Sequence, residues 1–246
     1  MQATGSMTQG MRQFQSTLIA RLQRGEHLVL YGPRGSGKTT LVARLHAHFE
    51  RAGIPCALAS VTACLDDITR TFEHAYPEVD TSAITRRRAR SRLRLAADRR
   101  AGVLLLDHTT RVSTAMLGFL RRLRGGIASA LLVVDVEVER DLERVRGWHL
   151  GSFRLRMVPA TPRQLHKLFR SHCAEHGMPH VAPGEERQIV RAARGRPGWI
   201  VECTRRIPRA RYWRGGTLHV STLCVDTEIA LRQGELKLLA SDVEPG

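Results

Sequence analysis

The chain has 246 residues, 42% hydrophobic and 5% aromatic, and its 39 lysines and arginines against 23 acids leave a formal net charge of +16. The pI is near 11.1 and the mean hydropathy −0.24; no apolar run approaches the roughly 20 residues a membrane span needs, which excludes an integral membrane protein. Such a charge predicts a polyanionic partner, nucleic acid or an anionic membrane surface. The opening MQATGSMTQGMRQFQ has no apolar core, so no secretory signal is expected. Cys56, Cys64, Cys173, Cys203 and Cys224 are scattered and form no CxxC pair. They predict a reducing cytoplasm rather than a disulfide framework or a zinc ribbon.

In chain order, Met11 to Gly25 predicts a helix with Phe14, Leu18, Ile19 and Leu22 on one face. His27–Tyr31 is an apolar run of strand length, followed by a glycine-rich turn and a helix over Leu41–Ala52 that Gly53-Ile54-Pro55 breaks. Cys56–Val61 is the second strand, and a helical region then reaches Arg100 with an interruption at Tyr76-Pro77. Val103–Leu106 and Ala130–Val134 are continuous apolar runs, and the alternating Phe153–Val158 is the last strand. Strands apolar on both faces, alternating with helices, predict an α/β fold with a parallel sheet flanked by helices. Beyond Pro159 only helices are expected: one from the Thr161–Gln164 capping signal to His176, one over Gly184–Arg194, one from Pro197. Arg211–Arg214 and Thr217–Val220 flank Gly215-Gly216, a hairpin signal. The expected domains are an α/β domain over 1–159, a helical lid over 160–208 and a hairpin-and-helix tail over 209–246.

Gly32-Pro33-Arg34-Gly35-Ser36-Gly37-Lys38-Thr39 fits GxxxxGK[ST] in full, between a predicted strand and a predicted helix. Glycines at these places let consecutive backbone N–H groups turn around a phosphate at a helix N-terminus. The implied ligand is ATP with Mg²⁺: Lys38 bridges β- and γ-phosphate oxygens and the Thr39 hydroxyl holds the metal, with Thr40 closing the loop. Asp107 ends the Val103–Leu106 run, with room upstream for one strand-and-helix unit. It is the expected second holder of Mg²⁺. His108 follows it where many such ATPases carry a water-activating glutamate; a neutral imidazole can accept a proton, or merely fill polar space. Hydrolysis is therefore expected to be slow or partner-stimulated.

Eight arginines fall within residues 85–100, among them Arg86, Arg87, Arg88, Arg90, Arg92 and Arg94, with Asp98 as the one acid. Such a block suits phosphate contacts along duplex DNA, or a solvated helix face. Arg209, Arg211, Tyr212, Trp213 and Arg214 mix cations with aromatics, which fits base stacking or packing at an interface or tail. His172, Cys173, His176 and His180 have helical spacing but no second cysteine pair, and Gly177 and Pro179 intervene before His180. A metal site there is disfavoured.

The Gly32–Thr40 loop, the Leu104–Asp107 strand end, the Leu131–Val134 strand and the three helices after Pro159 resemble AAA+ ATPases. The likeness is strongest to the branch of the origin-recognition ATPases and the bacterial transposition regulators of the TnsC/TniB/MuB type. It implies an ATP-controlled ring or filament on DNA, a transposase or other protein partner, and no membrane role. It also implies a polar sensor after the fourth strand, where the acids Asp135 and Glu137 stand instead, and a lid arginine after a Gly-x-Pro turn. Here Gly195-Arg196-Pro197 is followed by Gly198 and Trp199, and the candidate substitutes are Arg194 and Arg196. A trans-acting arginine finger is implied before or on the fifth strand, with Arg144, Arg146 and Arg154 as candidates. Too little chain follows Pro208 for a winged-helix domain, which favours the compact transposition regulators. The rival expectations are a STAND-like nucleotide-switch signalling ATPase and a non-hydrolysing, ATP-dependent scaffold for a protein partner.

Overall fold

The computed structural model describes residues 9–59, 65–79, 85–107, 118, 128–144 and 153–241. In them β1 (Leu28–Tyr31), β2 (Cys56–Ala59), β3 (Gly102–Leu106), β4 (Ala128–Val134) and β5 (Phe153–Arg156) form one sheet in the order β2-β3-β4-β1-β5. Every pairing is parallel, as the two-sided apolar runs predict.

Alternate strand residues feed two cores. Val29, Leu104, Leu106, Leu132 and Val134 pack with Phe72 and Tyr76 from the α3 segment (Leu65–Ala75 and the residue after it) and Leu93 of α4 (Arg86–Arg99). Leu28, Leu30, Leu105, Leu131 and Val133 pack with Leu18 and Leu22 of α1 (Gln9–Gln23) and Leu41, Leu45 and Phe49 of α2 (Lys38–Arg51). Burying a side chain of this size is worth about 1.5–3 kcal/mol, so these two layers hold the sheet. Ahead of β1, buried His27 accepts the Ala130 backbone N–H on Nδ1 at 3.1 Å. That bond ties the entry of β1 to β4 and leaves the neutral ring's proton on Nε2.

Gly102 opens β3 where no side chain fits. Buried Tyr76 donates its hydroxyl to the Arg100 carbonyl at 3.0 Å, and a Cβ on Gly102 would collide with that hydroxyl and stand 3.0 Å from the Pro55 carbonyl oxygen. Gly102→Ala should therefore cost about 1–3 kcal/mol through overpacking. Urea unfolding checks it: the midpoint falls while the slope stays unchanged.

The chain divides into two compact units, one holding Lys38–Met157 with the stretch up to Gly32, the other Pro33–Gly37 with Val158–Gly246. The second contains α5 (Pro162–Glu175), α6 (Pro183–Ala193), α7 (Pro197–Thr204), a hairpin of β6 (Trp213–Arg214) and β7 (Thr217–Leu218), and α8 (Val220–Ser241). Thr161 and Gln164 form the expected capping box at the start of α5. Gly215 and Gly216 turn the hairpin with φ of 55° and 78°, the left-handed pair a two-residue turn needs. Phe169, Ile189, Trp199, Ile200, Tyr212 and Leu223 share the core of this unit. Glu186 joins α5 to α6, with His166 Nδ1 at 2.6 Å and Arg170 Nε at 2.9 Å on the same carboxylate oxygen. Burial pushes its carboxyl up, but these two bonds outweigh burial and hold it below the ordinary glutamate range.

The described cysteines are structural thiols. Cys56, Cys173, Cys203 and Cys224 are free, and Cys64 lies outside the described residues. Burial pushes Cys56 up to about 12 and Cys173 and Cys224 up to about 11, which keeps them protonated and unreactive. His172 shares a hydrogen bond with the Thr204 hydroxyl at 2.8 Å and stacks on His176. Among the described residues no group of three His, Cys, Asp or Glu side chains stands close enough to hold a metal ion.

Candidate functional site

β1 ends at Tyr31, and the chain turns through Gly32–Gly37 into α2, whose first residue is Lys38. The turn demands glycine: Gly35 and Gly37 take φ of 77° and 95°. The Ser36 N–H closes it on the Pro33 carbonyl at 3.2 Å. Ser36 and Lys38 are buried, whereas Thr39 and Thr40 are exposed on the first turn of α2. A glycine-rich turn running into a helix N-terminus is the arrangement that receives a phosphate.

Strand order brings the acids to the same end of the sheet. β4 lies between β1 and β3, with Tyr31 opposite Val134 and Leu106 opposite Leu132. Asp107 and Asp135, which follow β3 and β4, therefore leave the sheet where the Gly32 turn leaves it. Asp107 is buried, and its N–H donates to the Ala59 carbonyl at 2.9 Å, which fixes the strand end against β2. Lys38 Nζ donates to the Gly32 carbonyl at 2.7 Å and stands 2.7 Å from Asp135 Oδ1. The lysine side chain is 4% exposed and the aspartate 14%. An ammonium this buried persists only when paired. Lys38 thus has a structural partner that spacing along the chain did not disclose. The ammonium, the Thr39 hydroxyl and the Asp107 carboxylate are the donor set that suits a magnesium-bound polyphosphate.

Of the two acids expected at the sensor position, Asp135 reaches the loop lysine and Glu137 points to solvent. His108 and Arg146 lie outside the described residues, as do the side chains of Arg86 and Arg144. Arg154 is exposed and paired with Glu139 at 3.0 Å, a local contact on the sheet's edge strand.

The loop residues Pro33–Gly37 group with the helical unit. Arg34 Nη1 donates to the Leu231 carbonyl of α8 at 2.6 Å, and the Gly198 N–H of α7 donates to the Gly35 carbonyl at 2.7 Å. Gly198 permits this approach because a Cβ there would stand 3.0 Å from Gly35 Cα. Of the two lid arginines, Arg194 caps α6 in the left-handed region with φ of 49°. Arg196 instead forks onto Glu228 of α8 at 2.9 Å, and Trp199 Nε1 donates to the same carboxylate at 3.2 Å. These bonds hold the Glu228 carboxyl below the ordinary range against the opposing effect of burial. Glu228 is a contact that sequence reasoning missed, since one acid on a long helix gives no signal.

On α4, Ala89 and Leu93 are buried one turn apart and Ala96 is partly buried below them. That stripe faces the sheet and turns Arg87, Arg88, Arg92, Arg94 and Arg99 outward, while Arg90 is half-buried. Among the described residues no carboxylate pairs with Arg87, Arg88, Arg94 or Arg99. The hairpin aromatics have other work. Tyr212 is buried and donates to Asp226 at 2.8 Å, Arg211 donates to the same oxygen at 2.7 Å, and Trp213 Nε1 donates to the Ile207 carbonyl at 2.6 Å. Of the two readings of that cluster, packing of the tail accounts for both rings.

The AAA ATPase domain family matches residues 10–148, more than half of the chain. Among solved structures, Cdc6p from Pyrobaculum aerophilum aligns with a TM-score of 0.59 at 16% identity, over 82% of this chain and 62% of its own. The Aeropyrum pernix ORC1 protein, in complex with DNA, aligns with a TM-score of 0.54 at 19% identity, over 88% of this chain and 64% of its own. The Aeropyrum pernix ORC2 protein, in ADPNP–ADP complexes, aligns with a TM-score of 0.57 at 17% identity, over 92% and 70%. This chain thus spans less than two thirds of the Cdc6p and ORC1 chains. At these identities the likeness is one of fold. No curated protein matches the sequence.

Proposed function

The chain belongs to the AAA ATPase domain family, and on that premise we propose that it binds Mg-ATP and assembles on duplex DNA under ATP control. The reading we favour is a ring or filament that acts with a transposase, as a target-selection regulator of transposition. Lys38, Thr39 and Asp107 would hold the phosphates and magnesium, and the loop of Gly32, Pro33, Arg34, Gly35, Ser36, Gly37 and Thr40 would wrap the β-phosphate. Magnesium supplies charge neutralisation at the phosphates when bound. One observation carries the DNA part: the exposed arginines of α4 that no carboxylate neutralises among the described residues. Arg87, Arg88, Arg94 and Arg99, exposed on one helix and without a carboxylate partner among the described residues, gain most from phosphate, through counterion release. The ORC1 structure with DNA adds support from a distant relative of the same fold. The transposition setting rests on the resemblance of the loop and strands to the TnsC/TniB/MuB type.

The test is duplex binding by the full chain with Mg-ADP and with a non-hydrolysable Mg-ATP analogue, at two ionic strengths. The expected result is a gain of tenfold or more with the analogue, steeper in protein concentration, because assembly multiplies identical contacts. Equal binding in both nucleotide states would overturn it. A second reading, a scaffold that hydrolyses little and holds a protein partner, is favoured by histidine at position 108. It would bind the analogue yet leave duplex DNA alone.

A further inference from the structure

The phosphate-loop lysine has a protein anion in contact with it, and that contact is a competitor. An ammonium has three N–H groups; at Lys38 one goes to the Gly32 carbonyl and another faces Asp135 Oδ1, each at 2.7 Å. Bridging a β- and a γ-phosphate oxygen takes two N–H groups, so at least one of the present partners must yield. The Gly32 carbonyl belongs to the loop that wraps the phosphates. Asp135 belongs to the neighbouring strand end, carries a full charge, and is the partner whose interests oppose those of a polyphosphate.

We propose that Asp135 is a specificity-determining carboxylate that holds Lys38 in the nucleotide-free protein and disfavours the γ-phosphate of ATP relative to ADP. The proposal rests on the nucleotide-binding reading above. Three features support it. The pair is largely shielded from water, with Lys38 4% and Asp135 14% exposed, so its attraction is weakly screened. Asp135 follows β4, the strand between the one that enters the loop and the one that ends at Asp107, and its carboxylate stands 2.7 Å from the ammonium that would receive the terminal phosphate. Moreover, a carboxylate has no N–H to offer a phosphate oxygen, whereas an amide or hydroxyl side chain has a donor. Within a few ångströms, two like charges at a partly shielded site repel strongly enough to change an affinity by tenfold or more.

ADP feels only the competition for Lys38; ATP feels that and the repulsion of its added charge. The sign follows. Asp135→Asn keeps the shape and an acceptor oxygen for Lys38, removes the charge and adds a donor. It should tighten Mg-ATP binding by about tenfold or more and Mg-ADP binding by less, raising the ATP-to-ADP affinity ratio. A merely structural role for Asp135 would weaken both nucleotides alike and leave that ratio unchanged.

Calorimetric titration of the full chain with Mg-ATP and Mg-ADP, comparing wild type, Asp135→Asn and Asp135→Ser, decides the matter, with circular dichroism confirming that each is folded. The serine variant gives the same sign by a smaller side chain, so one misfolded variant does not end the test. A higher ATP-to-ADP ratio in a folded variant supports the proposal. A wild type that binds ATP alongside folded variants that bind it equally or more weakly overturns the proposal and leaves nucleotide binding intact. No binding of either nucleotide by wild type or variants overturns both.

Discussion

Replacing Lys38 by alanine should abolish measurable Mg-ATP binding, a loss of at least about 100-fold, and should also lower the stability of the nucleotide-free protein. The first effect follows from the loop, because Lys38 is the one cation that the GxxxxGK[ST] spacing aims at the β- and γ-phosphates. The second follows from the pair with Asp135: the substitution strands a carboxylate that is only 14% exposed. Breaking a fully buried pair from one side costs roughly 3–5 kcal/mol, and the residual exposure of Asp135 puts this case below that range. The two effects separate in the double variant Lys38→Ala with Asp135→Asn. It should recover most of the lost stability in urea, because no charge is left unpaired, and none of the lost ATP affinity. Should the single variant bind ATP as wild type does by calorimetry, Lys38 has no part in holding phosphate. Should the double variant be no more stable than the single one, the pair with Asp135 contributes nothing to folding.

This dual role marks the boundary of what the sequence discloses. The five strands are legible because β1, β3 and β4 are apolar on both faces, and such runs have nowhere to go but a covered parallel sheet. The loop is legible because its glycines answer a local backbone need, visible as φ of 77° and 95° at Gly35 and Gly37. The capping box at Thr161 and the turn at Gly215-Gly216 are local in the same sense. What stays hidden depends on strand order. Lys38 and Asp135 meet because β4 slots between β3 and β1, an arrangement that residue spacing does not encode. Position 135 was legible as a sensor candidate, but its pairing was not. Arg196 and Glu228 meet for a similar reason, across helices 32 residues apart in the chain. Abundance also blurs the record. Arginine is so frequent that one falls near every position where a finger is expected, and among the described residues Arg154 is bonded to Glu139.

The arginines of α4 can be sorted by exposure in the same way, and the sorting sharpens the DNA prediction. Replacing Arg87, Arg88, Arg94 and Arg99 together by alanine should weaken duplex binding and flatten its dependence on salt. These four are exposed and have no carboxylate partner among the described residues, whereas Arg90 is half-buried. Four charges are only a quarter of the net +16. A purely diffuse attraction would therefore lose about a quarter of its salt slope. Direct contacts concentrate the slope on this face: each phosphate neutralised contributes about 0.9 to the log–log slope, so losing four removes about 3.6 of it, a larger share the fewer contacts the rest of the chain makes. The fold should survive, because Ala89 and Leu93 carry the helix's packing against the sheet and none of the four does. Alanine in fact favours the helix slightly over arginine. The loss should be equal on two unrelated duplexes, since contacts to phosphate carry no base information. Binding isotherms from low to moderate salt, on both duplexes and with the non-hydrolysable ATP analogue present, give the slope directly. A slope unchanged in a variant with wild-type stability would assign this face to solvent and move the search for the polyanion site elsewhere on the chain.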